Sequence, residues 1–414
     1  MIFPPEIWEQ ILVHVDPIVL INLKIVCKCW NKIINKILKQ GGLWYELCKN
    51  QIPEHFWTTL CETLHPNKFY TDFHEENDAK FWMAMYKLWI KCKNLIKCDA
   101  EINCIKPLLK NSSSEYITCI DTSGTMIAVG TSEGYVYFYD LSNLSRSTKC
   151  IVDDMEYLHR VQFLRDETSI VCISCSINNH ITFWDVNTLK LVDKTRGKII
   201  CTSYSFCYIA TNNLISIEGS VPRTTYDFGR DTIIAIGADN NKVIAYTEEG
   251  YCIYLTVVED KRNYAYAYVQ PLDMKIRGYY VFKPDIIVCI TGKRICILRS
   301  DRSKLVLKCH NVVESGYLGF LEGGKEWKVH NVFPILHGTP TAILVYANLL
   351  IVGLDSGDVH IYYINDFGKI NFNVINSKKL TLDTTAVISL NIMVHVEEYL
   401  IVAYSKKFYI VKFI

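Results

Sequence analysis

The first hundred residues place apolar side chains at the three- and four-residue spacing of amphipathic helices. One such run covers residues 7–15, and Asp16-Pro17 ends it because proline disfavours helical geometry in the residue before it. A second run extends from Leu20 to Ile37 and is followed by Gly41-Gly42, after which Leu43 begins a third short helix. Helices this short cannot bury wide apolar stripes alone, so we expect them to pack together and leave a face for a partner.

A connector rich in aromatic residues follows and ends in one predicted helix. Phe81, Met85, Leu88 and Trp89 form an apolar stripe on it, and lysines occupy the remaining surface. A basic amphipathic helix is also typical of calmodulin targets and membrane-surface anchors. The tryptophan in the stripe favours a rigid strut whose apolar side packs on the C-terminal part of the chain.

After about Asp99 the pattern changes to short runs of Val, Ile, Tyr, Phe and Thr between Gly, Asn and Asp turns, which predicts an all-β region. Residues 129–139 and 352–362 repeat the same strand, tight glycine turn and alternating strand. Residues 245–254 and 176–185 are weaker copies. A repeated supersecondary unit of this kind predicts a ring or stack of similar sheets.

The N-terminal sequence resembles the F-box family. Phe3-Pro4-Pro5-Glu6-Ile7 stands where the family has Leu-Pro-x-Glu, and Ile11-Leu12 follows it. Val26-Cys27-Lys28-Cys29-Trp30 stands where the family has Val-Cys-x-x-Trp, and Leu43-Trp44 closes the motif. The match covers about one tenth of the chain, and several spaced elements agree. Phe3 departs from the usual leucine, which affects the first turn of the motif.

The resemblance implies a module that docks a Skp-type adaptor. The alternative is an ordinary helical cap in which every apolar residue is internal. Which residues belong to the module's own core and which to the adaptor-binding surface stays open at this point. The residues that the resemblance assigns to these two roles together are Pro4, Ile7, Ile11, Leu12, Leu20, Leu23, Val26 and Trp30.

The strand-rich part resembles the WD-repeat family of β-propellers. Trp184-Asp185 is the dipeptide that names the family, and Tyr139-Asp140 takes its place in another copy. The Gly-His dipeptide of regular blades is absent from the sequence. We therefore expect an incomplete bracing network of side chains and a ring held by hydrophobic packing between blades.

Seven blades fit the spacing of the units, with six or eight as alternatives. Long insertions are predicted in the fifth and sixth units. The last unit is one outer strand short, and residues 102–109 are predicted to supply that strand and close the ring. The predicted blade starts are Tyr116, Glu156, Ile199, Asp231, Tyr264, Phe320 and Thr381.

Composition and charge reduce the number of function classes that fit the sequence. The net charge of +1 offers no basic field for nucleic acid or an anionic membrane, so neither is an expected partner. The 17 Cys lie in apolar runs and are predicted to be small buried hydrophobes. Cys172 and Cys175, near His180, sit on a predicted strand and point to opposite faces, which argues against a metal site. The sequence also has no catalytic or cofactor motif, no signal-peptide pattern and no membrane-length apolar run, so we expect a non-catalytic intracellular protein, cytoplasmic and/or nuclear.

Together these patterns predict an α+β multidomain chain with an F-box at 1–48, a helical linker at 49–98 and a WD-repeat-like β-propeller at 99–414. The resemblance implies a substrate-recognition subunit of an SCF-type ubiquitin ligase. Its Skp-type adaptor would bring cullin and RING subunits, and the propeller would bind a protein substrate through residues that the sequence does not identify. A non-degradative propeller scaffold is the alternative from another class.

Overall fold

The helical and the strand-rich parts of the sequence fold as two separate units, Met1–Asn94 and Leu95–Ile414. The structure is a computed structural model. It describes residues 3–39, 41–65, 68–75, 77–111, 113–144, 149–152, 155–165, 170–203, 206–218, 224–229, 231–239, 242–258, 261–269, 271–272, 274–283, 286–299, 308–309, 317–375, 377–394 and 398–414.

The N-terminal unit is built from helices. Short 3₁₀ turns at Glu54–Phe56 and Tyr70–Asp72 connect the later ones. In the part of the chain that the structure describes, no helix is both long and apolar enough to cross a membrane. The helices are α1 (Pro5–Leu12), α2 (Pro17–Leu23), α3 (Lys28–Ile37), α4 (Gly41–Gln51), α5 (Trp57–Leu64) and α6 (Ala79–Asn94).

The second periodic run is two helices, so the prediction of a continuous helix from Leu20 to Ile37 is wrong. Cys27 interrupts it with extended backbone angles, φ −161° and ψ 162°, and its Sγ accepts a hydrogen bond of 3.4 Å from the Trp30 backbone N–H. A capping residue satisfies an amide that the new helix leaves unpaired. The four-residue break keeps the apolar spacing close to a helical period, which is why periodicity did not reveal it. The prediction that Gly41-Gly42 separates two helices is also wrong, because these residues begin α4.

Helix α6 carries the predicted apolar stripe into the core of the N-terminal unit. Phe81, Met85, Leu88 and Trp89 are all buried, which confirms the stripe, and the helix packs on α4 and α5. The Cys48 thiol of α4 donates a 3.3 Å hydrogen bond to the carbonyl of residue 82 on α6. A stripe buried within its own unit gives α6 a structural role.

The C-terminal unit is a ring of seven sheets, so the prediction of seven blades is confirmed. Strands in the first three blades run in chain order within each sheet and pair antiparallel. Blade 1 contains β2 (Ile117–Ser123), β3 (Met126–Thr131), β4 (Tyr135–Asp140) and β5 (Lys149–Val152); blade 2 contains β6 (Leu158–Arg165), β7 (Ile170–Ser176), β8 (His180–Asp185) and β9 (Leu191–Arg196); blade 3 contains β10 (Ile199–Ser203), β11 (Phe206–Thr211), β12 (Leu214–Glu218) and β13 (Thr224–Asp227).

Blades 4 to 6 continue the ring, and blade 4 is extended to six strands. A short helix, α7 (Phe333–Leu336), lies between blades 5 and 6 in the chain. Blade 4 contains β14 (Ile233–Asp239), β15 (Lys242–Thr247), β16 (Tyr251–Val258), β17 (Lys261–Val269), β22 (Tyr317–Lys325) and β21 (Lys308–Cys309); blade 5 contains β18 (Gly278–Phe282), β19 (Ile286–Ile290), β20 (Arg294–Arg299) and β23 (Lys328–Asn331); blade 6 contains β24 (Pro340–Tyr346), β25 (Leu349–Leu354), β26 (Asp358–Tyr363) and β27 (Ser377–Thr381).

Blade 7 joins the two ends of the propeller. It contains β28 (Ser389–Val394), β29 (Glu398–Ala403) and β30 (Phe408–Phe413), and its outer strand is β1 (Ala100–Ile105) from the beginning of the unit. The register runs antiparallel from Ala100 opposite Phe413 to Ile105 opposite Phe408. This confirms the predicted closing strand, which begins two residues earlier than predicted. Closure of this kind pairs two strand edges that would otherwise be open.

Three of the seven predicted blade starts are wrong. Tyr264 lies in β17 and Phe320 in β22, which are outer strands of blade 4, and Thr381 is the last residue of β27 in blade 6. Blades 5, 6 and 7 begin instead at Gly278, Pro340 and Ser389. Outer and inner strands show the same two-residue alternation, so the local pattern does not distinguish them.

The longer of the two predicted insertions lies between β20 and β23 of blade 5. Its strand β22 pairs in parallel with β17 of the neighbouring blade and extends that sheet. Parallel pairing of β22 with β17 leaves no pattern in the local sequence, because the two strands are about fifty residues apart in the chain. The sixth unit also carries an insertion, because the chain between β26 and β27 includes a 3₁₀ turn at Phe367–Lys369.

Hydrophobic clusters between neighbouring blades hold the ring, as predicted. Each of six clusters draws its buried residues from two adjacent blades, joining blades 7 and 1, 1 and 2, 2 and 3, 3 and 4, 4 and 5, and 5 and 6. Blade 7 meets blade 6 through the buried Tyr404, whose hydroxyl donates a 2.6 Å hydrogen bond to the Gly357 carbonyl. Polar bracing is present locally, since Trp184 Nε1 donates to Ser174 Oγ at 3.2 Å.

The repeated turns have the backbone geometry that their glycines suggested. In the copies at Gly134, Gly250 and Gly357, φ is 80°, 90° and 87°, and Asn179 takes the same place in the fourth copy with φ 64°. Positive φ favours glycine and tolerates asparagine. The repeat found in the sequence is therefore the turn between the second and third strands of a blade.

Replacing Gly357 by Ala is expected to lower the free energy of unfolding by about 2–3 kcal/mol, because positive φ is strained for alanine and the new Cβ would overlap the Asp383 carbonyl. Gly124→Ala is the matched control. Its φ is 57° and nothing lies within 4 Å of a Cβ there, so only about 1 kcal/mol of backbone strain is expected. Urea unfolding of both variants measures the difference. Equal losses would mean that the close approach of Gly357 to the Asp383 carbonyl does not affect the free energy of unfolding.

Candidate functional site

The N-terminal unit exposes a set of large apolar side chains within its first 26 residues. The side chains come from the segment before α1, from α1 and its C-terminal cap, from α2, and from the turn between α2 and α3. Clusters of exposed apolar residues mark surfaces that bind partners. We call this set the exposed apolar face; its members are Phe3, Ile7, Ile11, Val13, Ile18, Val19, Ile25 and Val26.

A separate group of apolar residues forms the unit's own core beneath these helices. Leu12 is 2% exposed and Leu20 is 0% exposed, and both are buried by the chain itself. From α3, Ile33, Ile34 and Ile37 are buried as well. The core therefore exists without a partner, and the exposed apolar face is additional to it.

The eight residues that the sequence assigned to core and docking surface together now separate. Leu12 and Leu20 belong to the core, and Leu23 and Trp30 are half-buried. The remaining four are exposed and therefore available to a partner. These four are Pro4, Ile7, Ile11 and Val26.

Local contacts fix the helices that carry the face. The Asp16 carboxylate caps α2 by accepting a 2.8 Å hydrogen bond from the Ile18 backbone N–H. Trp8 of α1 and Trp30 of α3 pack with ring centroids 5.0 Å apart. An ion pair of 2.7 Å between Lys36 Nζ and Glu9 Oε1 also joins α3 to α1, although a surface pair of this kind contributes only about 0–1 kcal/mol.

Five members of the exposed apolar face were missed by the sequence reasoning: Phe3, Val13, Ile18, Val19 and Ile25. A signal was available for two of them. Six of the seven residues in α2, Pro-Ile-Val-Leu-Ile-Asn-Leu, are apolar or proline, so the helix cannot bury all of its apolar side chains in one small core. The position of Ile25, in the turn after α2, had no periodic signal.

The propeller contains a cavity of about 590 Å³ among the inner strands of blades 2, 3, 4 and 5. We call it the channel cavity. Isoleucines of β10 and β14 and Val281 and Phe282 of β18 supply its apolar walls. Its polar lining includes His159, Arg160, Gln162, Lys198, Thr202, Tyr279, Tyr280 and Lys283.

Desolvation disfavours the charged forms of three titratable groups in this lining. It raises the pKa of Tyr279 to about 12 and also raises the pKa of Tyr280, for which Arg160 acts in the opposite direction. The pKa of His159 is lowered by burial and then by the neighbouring Arg160 charge. At neutral pH these three side chains are neutral hydrogen-bonding groups.

Cys172 and Cys175 occupy the two faces of β7, as predicted. Cys172 packs in the cluster shared with blade 1, and Cys175 in the cluster shared with blade 3. Burial is the rule for the described cysteines of the propeller, although Cys104 is exposed. Among the residues that the structure describes, no three His, Cys, Asp or Glu side chains come together in a way that could hold a metal ion.

Comparison with known proteins identifies each of the two units separately. The family model of the F-box domain matches residues 2–39. No curated protein matches the chain.

Three solved structures resemble the propeller at low identity. The crystal structure of RRP9 WD40 repeats is 10% identical, with TM-score 0.52, and covers 76% of this chain and 98% of its own. The Cps50 (Swd1) β-propeller domain of Myceliophteria thermophila is 11% identical, with TM-score 0.52 and coverage of 76% and 99%. U3-55K is 10% identical, with TM-score 0.50 and coverage of 75% and 98%. At these identities the solved structures show the fold of the propeller alone, which is seven-bladed and of WD40 type. The F-box domain that precedes it is shown by the family model.

Proposed function

We propose that this chain, with an F-box domain and a seven-bladed propeller, is a substrate-recognition adaptor of an SCF-type E3 ubiquitin ligase. The observation that carries the proposal is the exposed apolar face on a domain that already has its own buried core. The F-box model matches residues 2–39, and the resemblance to this family implies a Skp-type adaptor as the partner. The exposed apolar face supplies the kind of surface that such a partner would cover.

Burial of this face in a complex would provide the affinity. Burying apolar surface stabilises an interface by roughly 25 cal/mol for each Å² removed from water. A few well-packed central side chains usually dominate, each contributing about 2 kcal/mol or more. Ile11 and Val26 are suited to this role because they are 45% and 58% exposed in the free chain.

The propeller is the part of the proposed adaptor that holds a protein substrate. Holding a substrate lysine beside a ubiquitin-charged enzyme accelerates transfer by proximity, so the adaptor needs no nucleophile of its own. The cullin and RING subunits would be reached through the Skp-type adaptor. In this proposal the protein acts inside the cell, in the cytoplasm, the nucleus or both.

Reconstitution of the complex from purified proteins tests the proposal. The full chain is mixed with a Skp-type adaptor, a cullin and a RING subunit, and the assembly is measured by size-exclusion chromatography with light scattering. A complex containing one copy of each protein is expected. An adaptor-bound chain that excludes the cullin would support the non-degradative scaffold, and failure to bind the adaptor at all would refute F-box docking.

A further inference from the structure

We propose that the channel cavity binds a small organic oxyanion, a phosphate or a carboxylate, that also carries a hydroxyl or amide hydrogen-bond donor. The proposal concerns the propeller alone and is independent of the adaptor function. It rests on the size of the cavity, on a cation and an acceptor in its wall that have no partner among the described residues, and on the distribution of charge around it.

The cavity has the dimensions and the mixed lining of a small-molecule site. Its volume of about 590 Å³ lies within the range of roughly 300–1,000 Å³ that is usual for such sites. Isoleucine side chains and Phe282 form part of the apolar wall, and a limited number of polar side chains come from blades 2, 3 and 5. An apolar wall with a few polar groups is the usual arrangement for orienting one ligand.

Arg160 provides the charge that selects an anion. It lies on the inner strand β6, is half-buried, and makes no ion pair or hydrogen bond with any residue that the structure describes. A partly buried guanidinium without a counter-ion is unfavourable, and a planar oxyanion can accept two parallel N–H bonds from it. The influence of Arg160 on the pKa of Tyr280 places its charge within electrostatic reach of blade 5, which lines the same cavity.

Gln162 is the reason why the ligand needs a hydrogen-bond donor. Its Oε1 is buried and accepts no hydrogen bond among the described residues. Residues two apart on a strand point to the same face, so Gln162 and Arg160 lie side by side on β6. A ligand that places an oxyanion on Arg160 is therefore positioned to donate a hydroxyl or amide hydrogen to Gln162.

The remaining charges of the lining have the same sign. Lys198 and Lys283 line the cavity from blades 3 and 5, and the described lining residues include no carboxylate. Lys283 is partly compensated, since its Nζ lies 3.8 Å from Asp239 Oδ1 and donates to Ser203 Oγ at 3.3 Å. A cavity with one sign of charge and low-dielectric walls concentrates oppositely charged ligands.

Calorimetric titration of the full chain at low ionic strength tests the proposal. The probes are ribose 5-phosphate, gluconate, inorganic phosphate and neutral ribose. We expect one molecule of ribose 5-phosphate or gluconate to bind per chain, and ribose to show no binding. The tighter of the two organic anions identifies phosphate or carboxylate as the preferred group.

Two substitutions test whether the anions bind in this cavity. Arg160→Gln is expected to weaken the organic anion at least tenfold, because a charge-assisted hydrogen bond is lost. Gln162→Leu is expected to weaken ribose 5-phosphate more than inorganic phosphate, which has no sugar hydroxyl to donate. Arg294→Gln, which removes an exposed arginine of blade 5 outside the cavity, is the matched control and should bind as the wild type does.

Three outcomes would overturn the proposal: no saturable binding of either organic anion, equal weakening by Arg160→Gln and Arg294→Gln, or several anions bound per chain with no preference for the cavity. If Arg160→Gln does not fold, as judged by circular dichroism, Gln162→Glu takes its place. This nearly isosteric change supplies Arg160 with an internal carboxylate and is expected to abolish anion binding, whereas undiminished binding would refute the site.

Discussion

Replacing Ile11 by Asp is expected to weaken binding of a Skp-type adaptor at least 100-fold while the chain stays folded. Ile11 is 45% exposed on α1, so a carboxylate there remains hydrated in the free protein. In the complex the same carboxylate would have to be buried against an apolar surface, which costs several kcal/mol without a partner charge. Val26→Asp, at a position that is 58% exposed, should have the same effect. Surface plasmon resonance with the purified adaptor measures both.

The controls separate docking from folding. Leu12→Ala removes a side chain that is only 2% exposed, so it should lower the free energy of unfolding by about 2–5 kcal/mol and impair docking through loss of structure. Ile177→Asp changes an exposed apolar residue of the propeller, 63% exposed, and should leave adaptor affinity unchanged. Wild-type affinity in both Ile11→Asp and Val26→Asp would show that the adaptor does not dock on the exposed apolar face.

Replacing Asn103 by Pro is expected to lower the free energy of unfolding of the propeller by about 2–3 kcal/mol, because it breaks a hydrogen bond in the strand pair that closes the ring and strains the pairing. Asn103 lies opposite Ile410 in the register of β1 and β30. The Ile414 backbone N–H donates to the Asp99 carbonyl at 3.0 Å, and bonded pairs alternate along an antiparallel ladder. The N–H of Asn103, four residues after Asp99, therefore points toward β30.

Cys104→Pro is the matched control for ring closure. Cys104 is the next residue on the same edge strand, and the alternation directs its N–H away from β30. Proline is tolerated on an edge strand where the N–H faces solvent, so a loss below about 1 kcal/mol is expected. Urea unfolding followed by tryptophan fluorescence and circular dichroism compares the two. Equal stability of both variants would mean that pairing of β1 with β30 contributes little to holding the ring.

Ring closure shows how far a local pattern can predict a long-range contact. The last unit lacks one strand, and an unattached run of strand-forming residues precedes the first unit, so pairing the two ends followed from counting. The seven blades and the positive-φ turns were predictable for the same reason. Each blade repeats one local unit, and the requirement for glycine or asparagine at a turn acts within a few residues.

Sequence by itself thus determined the features that arise from short-range physics: the stripe of α6, the repeated turns, the number of blades, the closing strand and the F-box motif. Tertiary structure decided what depends on contacts between distant segments. It assigned Tyr264 and Phe320 to outer strands of blade 4, because alternation is the same in inner and outer strands. It also separated the buried Leu12 from the exposed Ile11, which are neighbours in the motif, and brought Arg160 and Lys283 to one cavity. Burial and proximity are properties of the packed chain, and periodicity specifies only which side of an element a residue occupies.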